Sequence, residues 1–251
     1  MDSLLGGGSY GFVVKAEKAG RYYALKLYSD DYLNRRGHSC QAMELFNRET
    51  ELLQCIRHSR IPGCIDCFAY NNMYCLVQEY VPGDTLAALI NQGRRFGEKE
   101  VGGVLLELLE ILAFLHTPDA GKPAIVHRDL RLSNLIVRGN RLVLLDFGLA
   151  CRIGHDADQA FLQKRLQSKS IRGVSPSYAR MRNDLSVQSD LFGAGVVAVD
   201  LFTNSIAPGQ SGAWEQQIQV SPPLKSFIRR LLGVEENFMS CSEALEYWRN
   251  I

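Results

Sequence analysis

Hydrophobic and polar positions alternate early in the chain and take a helical spacing later, which divides the sequence into a strand-rich first part and a helix-rich remainder. Phe12-Val-Val-Lys-Ala16 and Arg21-Tyr-Tyr-Ala-Leu-Lys-Leu27 read as two strands around a turn at Gly20. After a polar, basic connection (29–39), Leu45, Phe46, Glu49, Leu52, Leu53 and Ile56 recur at helical spacing, predicting a helix from about 40 to 57. Met73 to Val81 reads as a strand ending in the turn Pro82-Gly83-Asp84. Helices are expected over 85–92 and 98–116, the second apolar enough for a core, with a Pro/Gly loop over 117–123. Ile125-Val126 and Leu135-Ile-Val137 bracket a loop, and Leu144-Leu-Asp146 is a further strand ending in an acid. Residues 150–182 are polar, basic and serine-bearing with little periodicity, which predicts a surface loop. An apolar helix opening at Ser189-Asp190 and closing helices over 224–232 and 242–248 complete the pattern.

The chemistry concentrates in three places. Asp129, Asn134 and Asp146 offer a carboxylate able to accept a proton, then an amide and a second carboxylate as hard oxygen ligands. That donor set suits Mg²⁺-dependent phosphoryl transfer, because Mg²⁺ takes a few protein oxygens and leaves its remaining positions to water and phosphate. Gly6, Gly8 and Gly11 form Gly-x-Gly-x-x-Gly, where glycines let backbone N–H groups approach phosphates without an intervening Cβ. The same pattern marks dinucleotide-binding turns, but those lead into a helix, and here strands flank the glycines. Only a few residues precede them. Finally, Glu49 falls among apolar positions, a costly place for an acid without a partner. Lys26 is the natural candidate as that partner, with Glu44 the alternative acid.

His127-Arg-Asp129 with Asn134, followed by Asp146-Phe-Gly148, resembles the catalytic and metal loops of the protein kinase family, and the likeness runs from the first glycine to the final helix. Within that family the compact chain is similar to small bacterial kinases of the eukaryotic Ser/Thr type. The resemblance implies an α+β, bilobal fold. A small, mainly antiparallel β N-lobe with one main helix spans about 1–80, a hinge about 79–84, and a larger, mainly α-helical C-lobe about 85–251, all one kinase domain. It implies ATP and Mg as cofactors. Asp129 is then the catalytic base, Lys26 grips the α/β-phosphates braced by Glu49, Arg131 donates to the γ-phosphate, and Asn134 and Asp146 bind the metal. Leu5, Gly6, Gly8, Gly11, Val13, Ala24, Gln78, Glu79, Val81 and Ile136 are implied to surround the nucleotide, with Gln78 at the back of the adenine pocket and Glu79 and Val81 lending backbone atoms. Asp190 is implied to brace the catalytic loop by accepting its backbone N–H groups, a helix-capping role being the plainer reading.

The resemblance also makes 150–182 an activation segment that receives a protein substrate and is itself open to phosphorylation at Ser168, Ser170, Ser175 or Ser177. Two departures fall here and nearby. Ala179-Arg-Met-Arg182 stands where the family has Ala-Pro-Glu, and the arginine that usually pairs with that Glu is missing around 235–239. A charge-swapped link from Arg182 to Glu235 or Glu236 is one expectation. Arg131 replaces a lysine common in Ser/Thr kinases, with a different fork geometry. These changes bear on substrate docking more than on nucleotide chemistry. Other readings of the motifs are a non-catalytic kinase-like binding module and a small-molecule phosphotransferase of the same fold.

Composition alters little. Hydrophobic residues make up 46% and charged residues 22%, and the formal net charge of +1 gives no reason to expect nucleic acid or an anionic membrane as partner. Leu191 to Phe202 is too short to span a bilayer and contains Asp200. No basic-then-apolar leader is visible, so a cytoplasmic protein is expected. Of seven cysteines, Cys64 and Cys67 form the one close pair. On a regular strand they would point to opposite faces, so reduced, mostly buried thiols are expected.

Overall fold

In the computed structural model, residues 3–8, 10–37, 41–139, 141–167, 184–203 and 214–250 are described. They fall into two compact units, 1–82 with 145–150, and 83–144 with 151–251. The fold is α+β.

The first unit is built on a five-stranded antiparallel sheet in the order β1-β2-β3-β5-β4, comprising β1 (Ser3–Gly7), β2 (Phe12–Lys18), β3 (Arg21–Tyr28), β4 (Cys64–Tyr70) and β5 (Met73–Glu79). Strand alternation sorts the side chains. Val14, Leu27 and Cys75 pack together with Phe12, Leu25 and Met73 on one face, leaving Val13, Ala24 and Lys26 for the other. Helix α2 (Ala42–Cys55) buries Leu45, Phe46, Leu52 and Leu53.

Two details depart from the sequence reading. The polar connection contains a short helix, α1 (Asp30–Arg35), anchored by the fully buried Leu33. Acids in its first turn and arginine in its last suit the helix dipole, and one buried residue is too little to register as periodicity. In β4 the register against β5 shifts between Cys64 and Asp66, with Cys64 opposite Gln78 and Cys67 opposite Leu76. Ile65 is therefore a bulge that places both cysteines on one face, correcting the expectation of opposite faces. Among the described residues no group of three His, Cys, Asp or Glu side chains is arranged to hold a metal.

The second unit is mainly helical. Its helices are α3 (Leu86–Asn91), α4 (Glu98–His116), α5 (Asp156–Gln167), α6 (Val187–Thr203), α7 (Trp214–Gln217), α8 (Pro222–Leu231) and α9 (Cys241–Arg249). A small sheet joins β6 (Asp84–Thr85), β8 (Leu135–Arg138) and β9 (Arg141–Leu144), and β7 (Ile125–Val126) pairs with β10 (Cys151–Arg152). Leucines and Ile111 of α4 meet the apolar length of α6 in a dry core, where each buried Leu or Phe contributes about 1.5–3 kcal/mol. Gly193 of α6 lies close against Leu130, where an added Cβ would sit 3.0 Å from the leucine Cβ and force the two to move apart by a few tenths of an ångström. Helix α6 starts two residues before the expected Ser189, because the Ser186 hydroxyl accepts the N–H of Gln188.

The expected surface loop over 150–182 is partly corrected, because its first half forms α5. Asp158, almost completely buried, accepts the backbone N–H of Arg152 at 2.8 Å and its Nε and terminal nitrogen at 2.9 Å each. A tertiary ion pair, rather than an apolar stripe, anchors this helix, so periodicity did not announce it. Ser168, Ser170, Ser175, Ser177 and the Ala179–Arg182 stretch lie outside the described residues. The expected link from Arg182 to Glu235 or Glu236 therefore also lies outside the described residues; among those described, Glu235 accepts from Arg229 Nε at 2.7 Å and from the Ser226 hydroxyl at 2.8 Å. No helix among the described residues is long and apolar enough to cross a membrane.

Phe227 centres an aromatic cluster with Phe238, Tyr247 and Trp248, at centroid distances of 5.3, 6.0 and 4.8 Å. Phe227→Ala should lower unfolding stability by about 3–5 kcal/mol in urea titration. A loss under about 1 kcal/mol would mean the cluster is not closely packed.

Candidate active site

In the first unit the sheet and α2 bring three charged groups together. Lys26 projects from the middle of β3, between Val13 on β2 and Leu76 on β5. Its Nζ donates to both carboxylate oxygens of Glu49, at 2.8 and 2.7 Å, and to Asp146 Oδ1 at 2.6 Å. Glu49, not Glu44, is therefore the partner, and Glu44 is exposed. The Tyr28 hydroxyl also donates to Glu49. Burial alone would lower the Lys26 pKa, but Asp146 and Glu49 outweigh it and hold the ammonium well above its ordinary value. Burial pushes Glu49 up while Lys26 pulls it back, and burial with the Glu49 charge pushes the Tyr28 phenol well up, keeping it a neutral donor. The physical state is a charged pair in a dry site.

Asp146 reaches this pair from a left-handed backbone, φ 63°, rare for a non-glycine residue. Its carboxylate also accepts the N–H of Gly148 at 3.2 Å, and Phe147 beside it is buried. A Cβ at Gly148 would lie 2.9 Å from Glu49 Oε2 and 3.2 Å from Lys26 Nζ, so a larger residue there would displace the ends of the ion pair. The Asp146 side chain remains 42% exposed, whereas that of Glu49 is fully covered, so one partner of Lys26 faces water and the other does not.

The other implied residues of this unit are placed along the same sheet. Leu5 lies exposed where β1 shifts register against β2, Gly6 pairs with Val13 within β1, and Gly8 and Gly11 lie in the turn that follows. Val13 and Ala24 are half-buried, and Gln78, opposite Ala24, is buried. Glu79 exchanges bonds with Gly63: its N–H donates to the Gly63 carbonyl at 3.1 Å, and its carboxylate accepts the Gly63 N–H at 3.0 Å. Val81 follows, half-buried.

The second unit assembles Asp129, Arg131 and Asn134 in the loop between β7 and β8. Asn134 Nδ2 donates to the backbone carbonyl of Asp129 at 2.9 Å and to its Oδ2 at 3.0 Å. Arg131 donates to Oδ1 through Nε at 3.0 Å and through a terminal nitrogen, while its side chain stays 52% exposed. The Asn134 amide oxygen is thus turned away from Asp129. Ile136 is buried in β8, opposite Val143.

Asp190, fully buried in the first turn of α6, shapes this loop. It accepts the backbone N–H groups of His127 at 2.8 Å and Arg128 at 2.7 Å, and it contacts His116 Nε2 at 2.9 Å. It is a brace for the loop rather than only a helix cap. Burial would raise its pKa, but the hydrogen bond and charge of His116, then His127 and the Arg128 N–H, bring it below the ordinary value. Arg128 takes φ 67° under this grip. His127, fully buried, accepts the Asp129 N–H through Nδ1 at 3.3 Å, a structural task.

Three contributors went unread in the sequence. Tyr28 sits two residues from Lys26 and so shares its face, a signal that was available. His116 ends α4 and looked like an ordinary cation at a helix terminus; its other ring nitrogen meets the buried Cys241 thiol at 3.5 Å. Lys122, also buried, donates to the carbonyls of Leu115, Thr117 and Pro123, pinning the loop that leads into β7. Nothing in their local sequence marks the last two.

The buried charges can be tested by stability. Lys26→Met should cost about 3–5 kcal/mol in urea unfolding by leaving Glu49 buried without its cation, and adding Glu49→Leu should restore most of it. Equal losses in the single and double variants would exclude the pair. Asp190 gives an acid limb: because its folded pKa is depressed, its contribution is complete above the ordinary carboxylate range, about pH 4, and fades as pH falls through the depressed value. Asp190→Asn should lower stability at pH 7 by roughly 1–3 kcal/mol and flatten that limb, and an unchanged pH profile would contradict the assignment.

A family model, the protein kinase domain, matches residues 1–246. Among similar proteins, Serine/threonine-protein kinase B of Synechocystis is 28% identical over 225 residues, which cover 82% of this chain and 38% of that protein. Serine/threonine-protein kinase F of Synechocystis is 30% identical over 231 residues, 81% of this chain and 44% of that protein. The probable serine/threonine-protein kinase YbdM of Bacillus subtilis is 26% identical over 204 residues, 80% of this chain and 69% of that protein. The chain therefore spans about two fifths of the length of the two Synechocystis proteins. With the family model matched over nearly its whole length, the chain belongs to the protein kinase family.

Proposed function

We propose that the protein is an ATP- and Mg²⁺-dependent protein kinase that transfers the γ-phosphoryl group of ATP to Ser/Thr hydroxyls of protein substrates, its own activation segment among the candidate acceptors. The observation that carries this reading is the Lys26 ammonium, bound by buried Glu49 and by half-exposed Asp146 at 2.6–2.8 Å. An ion pair of this kind, with the Asp of an Asp-Phe-Gly loop beside it, is the arrangement that positions ATP in kinases. Names of the similar proteins support Ser/Thr acceptors.

Each residue has a definite task on this reading. Lys26 keeps Glu49 and turns its remaining donor to the α/β-phosphates. Asp146 and Asn134 supply the hard oxygens suited to Mg²⁺, which would neutralise phosphate charge. Asp129, oriented by Asn134, accepts the proton of the attacking hydroxyl, and Arg131 donates to the γ-phosphate. Glu79 and Val81 contribute backbone atoms to adenine, with Gln78 behind it and Leu5, Val13, Ala24 and Ile136 as apolar surface. The N–H of Glu79 already serves Gly63, so its adenine contact falls to the carbonyl.

Incubation with labelled ATP and Mg²⁺ should label the protein or a generic protein acceptor. Asp129→Ala should lower turnover by about 10²–10⁴-fold, and unchanged turnover would reject Asp129 as base. Nucleotide binding without any transfer would favour a binding module, and label on small molecules alone a small-molecule phosphotransferase.

A further inference from the structure

We infer that Tyr32 is a positioning residue for the triphosphate: it tethers the glycine turn to helix α1, so that the lid is organised before nucleotide arrives. The inference rests on the proposed nucleotide site and names a residue outside the kinase motifs.

The tether is made of direct contacts. The Tyr32 hydroxyl donates to the Gly8 carbonyl at 2.8 Å, in the middle of the glycine run. Its ring packs on Phe12, the first residue after the turn, with centroids 5.7 Å apart, and the Arg36 guanidinium lies 5.2 Å from the ring centre. A Cβ added at Gly7 would lie 3.9 Å from the same hydroxyl. One tyrosine thus touches the turn at its glycines and at its exit.

The backbone of the run is held on one side only: Gly6 and Gly7 pair with Val13 and Phe12 across β1 and β2, and Gly8 donates its N–H to the Gly11 carbonyl at 2.9 Å, while a Cβ at Gly6 would meet nothing within 4 Å. Glycines lose more conformational freedom than other residues when ordered, so without the tether the run would be less ordered and each ligand would bear more of the cost of fixing it. Helix α1 is a firm post for the tether. Leu33 is fully buried, and the Asp30 carboxylate accepts the N–H of Ala42 at 2.7 Å, at the start of α2. The same α2 carries Glu49, the partner of Lys26. The turn and the Lys26–Glu49 pair are therefore fixed to one helix pair, and both would act on phosphates.

Tyr32→Phe removes the hydroxyl and keeps the ring, and Tyr32→Ala removes both. In hydrogen–deuterium exchange on the ligand-free protein, amides of 6–11 should exchange about 2- to 12-fold faster in Tyr32→Phe, the range for one net hydrogen bond, and faster still in Tyr32→Ala. The Kd for MgATP should rise by a similar factor while that for adenosine, which lacks phosphates, stays unchanged. Thermal melting confirms that both variants fold. Unchanged exchange in the glycine turn overturns the tether, whatever binds. Faster exchange with equal weakening of ATP and adenosine overturns the phosphate role. If wild-type protein binds neither ligand, the nucleotide reading itself fails and the phosphate role with it, even if exchange confirms the contact.

Discussion

Each of the two units is organised by a carboxylate that has been taken out of water, and a buried charge tolerates few arrangements. An unpaired one costs several kcal/mol, so the chain around it must supply partners at fixed positions. Glu49 takes both its oxygens to Lys26, 23 residues away, and adds the Tyr28 hydroxyl. Asp190 takes two consecutive backbone N–H groups more than 60 residues away and one histidine nitrogen. Neither pairing contributes greatly to net stability, because desolvation offsets most of the attraction. Removing one partner would cost far more, since the carboxylate left behind would be buried without its cation or its donors.

The same two carboxylates account for two of the five described non-glycine residues with left-handed φ, the other three being Ala19, Asn71 and Asn72. Arg128 and Asp146 both take left-handed φ, an arrangement costing about 1–3 kcal/mol each for residues with a Cβ. Arg128 is fixed there because its N–H points at Asp190, and Asp146 because its carboxylate reaches Lys26 and the Gly148 N–H. Both adjoin candidate reactive groups, Asp129 and the metal-type oxygens. The remaining three, Ala19, Asn71 and Asn72, sit in the turns between β2 and β3 and between β4 and β5, where chain reversal rather than an aimed side chain sets the backbone, and the apolar helices of the second unit carry none at their non-glycine positions.

How much of this was legible depends on whether a feature is written in local pattern or in distant contact. Strands β2, β3 and β5 and helices α2 and α4 were readable because apolar spacing matches their period, whereas the largely exposed β1 and β4 carry no such spacing, and the Lys26–Glu49 pair was readable because an acid among apolar positions demands a cation. Gathering Asp129 with Arg131 and Asn134 was implied by motif spacing alone. By contrast, α5 depends on an ion pair from Asp158 back to Arg152, α1 on one buried leucine, and the bulge at Ile65 on a residue type that favours regular strands. His116 and Lys122 act through helix ends and carbonyls, where many residues would look alike in sequence.

The contrast between the two partners of Lys26 carries the last step. An ammonium has three protons to donate, and here carboxylates take all of them. For Lys26 to meet a phosphate, one partner must yield. Glu49 cannot, since its side chain is fully covered and leaving Lys26 would strand a charge in an apolar setting. Asp146 can, since its side chain is 42% exposed and water or a cation can take over its charge. On the proposed function burial would decide which partner yields: Glu49 would stay on Lys26, and Asp146 would be the one able to release it and hold a metal ion instead. A metal-free triphosphate would have to displace Asp146 without offering its carboxylate a new cation, so on that reading metal and nucleotide binding would reinforce one another at this lysine.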